Sequence, residues 1–162
     1  MDELRAFKES LMKSFEMTDL GLMQYFLGLE VRQELNSITV CQTKYAEDLL
    51  KRFGMHNSRS YPTPLNVREK FQFGDSSGKA DEEKYHCMIG GLLYHTRPNL
   101  MFAVSLASRY LHHPSKHHMG AVERVLHYVS GSVNFGIKYK HVENFKLEGY
   151  VDCDSTGCVD DR

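Results

Sequence analysis

The chain has 162 residues, of which 41% are hydrophobic and 25% charged, ordinary values that exclude a collagen-like or wholly disordered protein. No apolar run approaches the roughly eighteen residues of a membrane-spanning helix, so no membrane role is expected, and Met1-Asp2-Glu3 is the wrong start for a secretory signal. Four cysteines (Cys41, Cys87, Cys153, Cys158) at irregular spacing make no disulfide framework, and a reduced intracellular setting, cytoplasmic or nuclear, is expected. The net charge of −1 conceals an uneven distribution. Residues 1–42 carry −3, 43–70 carry +3, 71–96 carry −2, 97–146 carry +5 with six histidines, and 147–162 carry −4. A basic stretch beside an acidic tail reads either as ordinary surface variation or as a face turned toward a polyanion.

Leu4, Phe7, Leu11 and Phe15 recur at three- and four-residue steps and predict an amphipathic first helix. It is expected to stop near 18–21, where Gly21 takes a positive φ. Residues 25–32 and 37–42 read as two strands of a hairpin with its turn at 35–37. A second helix follows, with Thr43 as cap, Tyr45, Leu49, Leu50 and Phe53 on one side, and Gly54 at its end. Residues 57–79 contain Tyr-Pro-Thr-Pro and a Gly/Ser cluster with little periodicity, which predicts an extended linker between sub-domains.

Three helices come next. Asp81 caps the first, with Tyr85, Met88, Ile89, Leu92 and Leu93 inward. Its Gly90-Gly91 pair costs about 1 kcal/mol per glycine against alanine, a cost that close backbone packing would offset. Pro98 breaks the chain, Asn99 caps the next helix, and Leu100, Ala103, Val104, Ala107 and Leu111 face inward. After Pro114, Ser115 caps a third helix presenting Val122, Val125, Leu126 and Val129 and ending at Gly131. Phe135, Ile137 and Tyr139 alternate, as do Leu147 and Val151 less cleanly, predicting a closing hairpin. The expected class is α+β.

Eight sequence words in collinear order now carry a resemblance. They are FEMTDLG (15–21), YFLGLEV (25–31), QTKYAEDLLKRFGM (42–55), TPL at Thr63, Y..MIGGLLYHTRPNL (85–100), FAVSLASRYLHHPSKHH (102–118), ERVLHYVSGSVNFGIKY (123–139) and LEGYVDCDSTGCVDDR (147–162). In this order the chain resembles the Pol polyprotein of copia-type LTR retrotransposons, from about residue 7 to the end. The resemblance implies the end of the palm, a primer-grip hairpin and a thumb-like helix over 1–56, a linker over 57–80, and connection helices over 81–131. Residues 132–162 would hold the strands that begin a truncated RNase H-like domain.

In that family a Tyr-x-Asp-Asp strand carries the polymerase carboxylates, and it is absent ahead of Phe15. On the RNase H side Asp152 matches the first metal-binding Asp, with Asp154 two residues along. Two-metal phosphoryl transfer needs several carboxylates around a pair of cations, and one orphan carboxylate does not hold two magnesium ions. The resemblance therefore implies Mg2+ for the intact family enzyme, no cofactor in this chain, and a catalytically incomplete piece of a reverse transcriptase/RNase H polyprotein. Departures from the family pattern point the same way. Ser155 stands where Trp is usual, Asn99 where Asp follows Arg-Pro, and His127 where Arg is common, and about two residues are missing between Leu93 and Pro98.

Tyr25, Leu27 and Leu29 on one strand face and Phe26 on the other are core-forming residues in any sheet. The resemblance adds that Gly28 lets backbone approach a primer closely and that Lys44, Lys51 and Arg52 neutralise phosphates. Such contacts position a duplex without reading sequence. The expected partner is an RNA–DNA or DNA duplex, held weakly, with the basic helices from Arg97 to Lys146 assisting. The alternative is a repurposed protein–protein interaction module, since a hairpin without palm strands exposes apolar surface and unpaired edges and would self-associate or bind another chain. The pairs His112-His113 and His117-His118 invite a zinc reading, but Pro114 keeps them off one regular helix and tetrahedral zinc needs four converging ligands. Cys153 and Cys158 have no second Cys or His pair close by.

Overall fold

Helices and one antiparallel sheet give the expected α+β class. The computed structural model describes residues 2–67, 69–92, 95–144 and 146–150. Along the chain run α1 (Asp2–Ser14), β1 (Tyr25–Phe26), β2 (Leu29–Glu34), β3 (Ser37–Cys41), α2 (Thr43–Arg52), α3 (Glu82–Gly91), α4 (Pro98–Ser108), α5 (Lys116–Ser130) and β4 (Gly136–Lys140). Among the described residues no helix is long and apolar enough to cross a membrane.

Local chemistry sets most helix ends. The Asp81 carboxylate accepts the Lys84 N–H at 3.0 Å to start α3. At α5, Ser115 Oγ accepts the His118 N–H while His118 Nδ1 accepts the Ser115 N–H at 3.0 Å, a capping box with histidine in the usual Glu/Gln role. Gly54 (φ 70°) closes α2 in a Schellman arrangement, with the Met55 N–H on Leu50 O at 2.7 Å and its own N–H on Lys51 O. Three expected ends move. Gln42, not Thr43, is the α2 cap residue, and it makes no side-chain cap bond. Arg97 precedes α4, Pro98 fills the first turn where its missing N–H costs nothing, and Asn99 lies inside the helix. Helix α1 stops at Ser14, and Gly21 (φ 77°) belongs instead to a turn in which Asp19 Oδ1 accepts its N–H.

The core is helical. Helix α5 packs on α2, α3 and α4, and Leu49, Leu50, Met88, Ile89, Leu100, Val104, Val122, Val125, Leu126 and Val129 are all buried together. Each such aliphatic side chain contributes about 1.5–3 kcal/mol relative to exposure. Tyr45 departs from expectation: it stays half exposed and donates its hydroxyl to Gly91 O, and Ala46 takes the buried place. The close approach expected at the glycine pair falls on Gly91, where a Cβ would lie 2.6 Å from Leu49 Cδ1, whereas Gly90 faces open space. The described residues of 57–80 hold no helix or strand beyond a bridge from Lys79 to Ser115. They nonetheless run along α5, with the Tyr61 N–H on His127 O, Ser130 Oγ on Ser58 O, and Phe71 buried against Tyr110 and Ala121.

The sheet order is β1-β2-β3-β4, antiparallel throughout. Two features differ from the sequence reading. The strand expected over 25–32 is broken at Leu27-Gly28, which turns β1 back onto β2 so that Phe26 pairs with Leu29 and Tyr25 with Glu30. Strand β4 pairs with β3, Cys41 opposite Gly136 and Ser37 opposite Lys140, rather than with a following strand. Residues 146–150 carry no strand, and Val151 lies outside the described residues. At Gly136 a side chain would run into Val40 O and Cys41, so only glycine lets β4 seat there.

Candidate nucleic-acid interface

The β1–β2 hairpin is an apolar tip turned to solvent. Leu27 (φ 48°) and Gly28 (φ 81°) both occupy the left-handed region, the pairing a two-residue hairpin loop needs to match strand twist. Glycine adopts it freely; a leucine there carries about 1–2 kcal/mol of strain. Tyr25, Phe26 and Leu27 are 60%, 57% and 84% exposed, so the core role expected of them is not what the fold gives them. Gly28 has open space around it and leaves the backbone approachable.

Glu30 ties this tip to α2. Its Oε1 accepts the Lys44 N–H at 2.9 Å, and Arg32 Nη2 lies 3.5 Å from its Oε2. A strand carboxylate thus satisfies one of the orphan amides at the helix start, where the dipole favours negative charge. Tyr25 pairs with Glu30, so the hairpin and the Lys44 end of α2 form one unit. Lys44 and Lys51 are seven residues apart, about 10 Å along the axis at nearly the same azimuth. Between them Asp48 faces Lys51, Oδ1 to Nζ 3.7 Å. Arg52 turns its guanidinium over Phe53 at 5.6 Å. The fold therefore ties the Tyr25–Glu30 end of the hairpin to the backbone of Lys44, leaves Phe26, Leu27 and Gly28 at the exposed tip, and sets Lys51 and Arg52 at the far end of α2.

The histidines make a clasp. His117 Nε2 meets Glu69 Oε1 at 2.7 Å, Asp75 Oδ2 accepts Ser115 Oγ at 2.5 Å, and Ser77 Oγ accepts the His117 N–H. The bonds from Ser115 and then Ser77 hold the Asp75 carboxyl down at about 2. His127 spends its Nδ1 on Ser58 Oγ and its ring edge on Tyr61. Among the described residues no group of three His, Cys, Asp or Glu is placed to hold a metal ion. Asp152, Asp154, Cys153, Cys158 and Ser155 lie outside the described residues.

Residues 1–67 match the family model described as reverse transcriptase (RNA-dependent DNA polymerase). The chain is 31% identical over 94% of its length to the retrovirus-related Pol polyprotein from transposon RE1 of Arabidopsis thaliana. It is 34% identical over 96% of its length to that from transposon TNT 1-94 of Nicotiana tabacum. The chain belongs to the transposon Pol reverse transcriptase family. It spans 11% and 12% of the length of those two polyproteins. It also covers 64% of an uncharacterized mitochondrial protein of Arabidopsis thaliana, at 31% identity over 94% of this chain. No solved structure gives a significant match.

Within this family member, two site features were not legible beforehand. Glu30 as a helix cap depends on a strand-to-helix contact fourteen residues apart. Arg97 is 1% exposed, donates Nη1 to Ser132 O at 2.9 Å and Nη2 to Ser132 Oγ at 2.5 Å, and has no carboxylate partner among the described residues. Burial lowers its pKa from the ordinary guanidinium value. An arginine between Thr96 and a helix-starting proline reads from sequence as a surface residue, since arginine is seldom fully buried.

Proposed function

We propose that this chain holds a primer–template-like nucleic-acid duplex through the hairpin tip and α2, positioning it without extending or cutting it. The observation that carries this reading is the Tyr25–Gly28 tip, exposed, left-handed at Leu27-Gly28, and locked by Glu30 beside Lys44. Strained backbone at an exposed apolar tip is characteristic of contact sites. Lys44, Lys51 and Arg52 supply charge for phosphates, a grip without sequence preference. In the intact family enzyme magnesium stabilises the reacting phosphate, and Asp152 is the residue that resemblance assigns to it.

Fluorescence anisotropy of a labelled RNA–DNA hybrid, titrated over a range of salt, tests the reading. The expected result is weak binding that falls with salt, each neutralised phosphate adding about 0.9 to the log–log slope on B-form DNA. Replacing Lys44, Lys51 and Arg52 by Ala together then flattens the slope by roughly two to three. No binding at low salt overturns it.

A second reading, association with another copy or a protein partner, rests on α1. Leu4, Phe7 and Met12 are exposed on it, and Phe15 is exposed just past its end. Light scattering showing a concentration-dependent dimer abolished by Phe7→Ser/Phe15→Ser supports it, and a monomer at all concentrations removes it.

A further inference from the structure

A groove of about 360 Å³ lies between the 60–62 segment and the end of α5, lined by Tyr61, Pro62, Tyr128, Ser132 and Phe135 with Ser60 and Gly131. It is within the roughly 300–1,000 Å³ range of small-ligand sites, and none of its lining residues is acidic. Arg97 donates to Ser132 O and Ser132 Oγ, and its guanidinium lies over the rings of Tyr128 at 6.0 Å and Phe135 at 5.6 Å. The buried cation thus sits directly behind the groove wall. Its Nε has no hydrogen-bond partner, and among the described residues no carboxylate pairs with it. At the other end Arg124 lies over the Tyr61 ring at 4.6 Å and donates to Thr63 Oγ1. Phe135 is 56% exposed with one face on Arg97, so its other face is available.

We infer that this groove takes one unpaired nucleobase of a single-stranded nucleic acid, stacked on Phe135 beside Tyr128, with Arg97 and Arg124 attracting the flanking phosphates. Half-exposed aromatic faces between cations, with no acid among them, are the elements of sequence-tolerant single-strand sites. The groove is built from residues separate from the hairpin and α2. The inference shares the nucleic-acid class with the proposed function but uses an unpaired strand, not a duplex.

The test compares a fluorescein-labelled oligo(dT) of about eight nucleotides with an abasic strand of equal length and charge, at low salt. The expected result is about ten-fold tighter binding of oligo(dT), a gap that closes in Phe135→Leu. Leucine keeps apolar cover over Arg97 but has no stacking face, and circular dichroism of the variant checks that the helices persist. Equal binding of the two strands, or no binding of either, overturns the inference. So does a proline-rich peptide that binds the wild type and loses affinity in Phe135→Leu while oligo(dT) does not bind, which would assign the groove to peptides. The hybrid titration with Lys44, Lys51 and Arg52 replaced is a separate arm, so failure of the duplex reading and failure of this one are distinguishable.

Discussion

Helices α2 to α5 and the N-terminal stretch through β1 both show clear apolar patterning, yet they treat it oppositely. In the helical part the periodic positions meet one another: Leu50, Leu126 and Val129 are buried in a single cluster around α5. In α1 and the hairpin tip the same kind of residue faces water, from Leu4 and Phe7 to Phe26 and Leu27. Amphipathic spacing specifies a face but not its counterpart. The difference marks the N-terminal stretch as a part of the molecule whose apolar surface faces solvent.

Substitutions sharpen that contrast. Leu126→Ala, at the centre of the buried cluster, is expected to cost about 2–5 kcal/mol and lower Tm by roughly 5–15 °C, read by thermal denaturation. A small effect there would mean that α5 is not the hub of the core. Acid sensitivity in the clasp comes next. The folded Asp75 carboxyl sits at about 2 against an ordinary 3.8, so its contribution is present above about pH 4 and is lost as pH falls toward 2. Asp75→Asn is expected to remove that part of the acid transition, leaving a flatter stability curve between pH 4 and 2 by urea denaturation. An unchanged curve would contradict the hydrogen bonds from Ser115 and Ser77.

At the tip, Leu27→Asn places the favoured Asn-Gly pair in a left-handed two-residue loop. It is expected to raise stability by about 1 kcal/mol in chemical denaturation, while weakening hybrid binding by removing the exposed leucine. A loss of stability would show that Leu27 has packing partners. The smallest effect is expected from Phe7→Ala, within about 0.5 kcal/mol in the monomer. A larger loss that grows with protein concentration would show that α1 is covered by a second copy.

What the sequence revealed was local. Asp81, Ser115, Gly54 and Pro98 act within one helical turn of themselves, and all four mark helix ends. Missed features depend on contacts made elsewhere. Leu27-Gly28 lacks the Asn or Asp that signals a tight hairpin, so the turn was hidden inside an apparently continuous strand. Strand β4 alternates well enough to be recognised, but its partner lies about a hundred residues back in β3, and alternation names no partner. Of the candidate site residues, Tyr25 to Gly28 are named by the resemblance alone, whereas the Glu30 bond that ties their hairpin to Lys44 required the fold. Lys51 and Arg52 share a helix with Lys44, but one dimension does not show that they sit at its other end.

Amide hydrogen exchange with and without a saturating RNA–DNA hybrid tests the central claim most directly, because it reports where the ligand sits. The account predicts added protection over residues 25–30 and along α2, strongest beside Lys44, with the α3–α4 core unchanged. Binding that protects neither the hairpin nor α2 would contradict it.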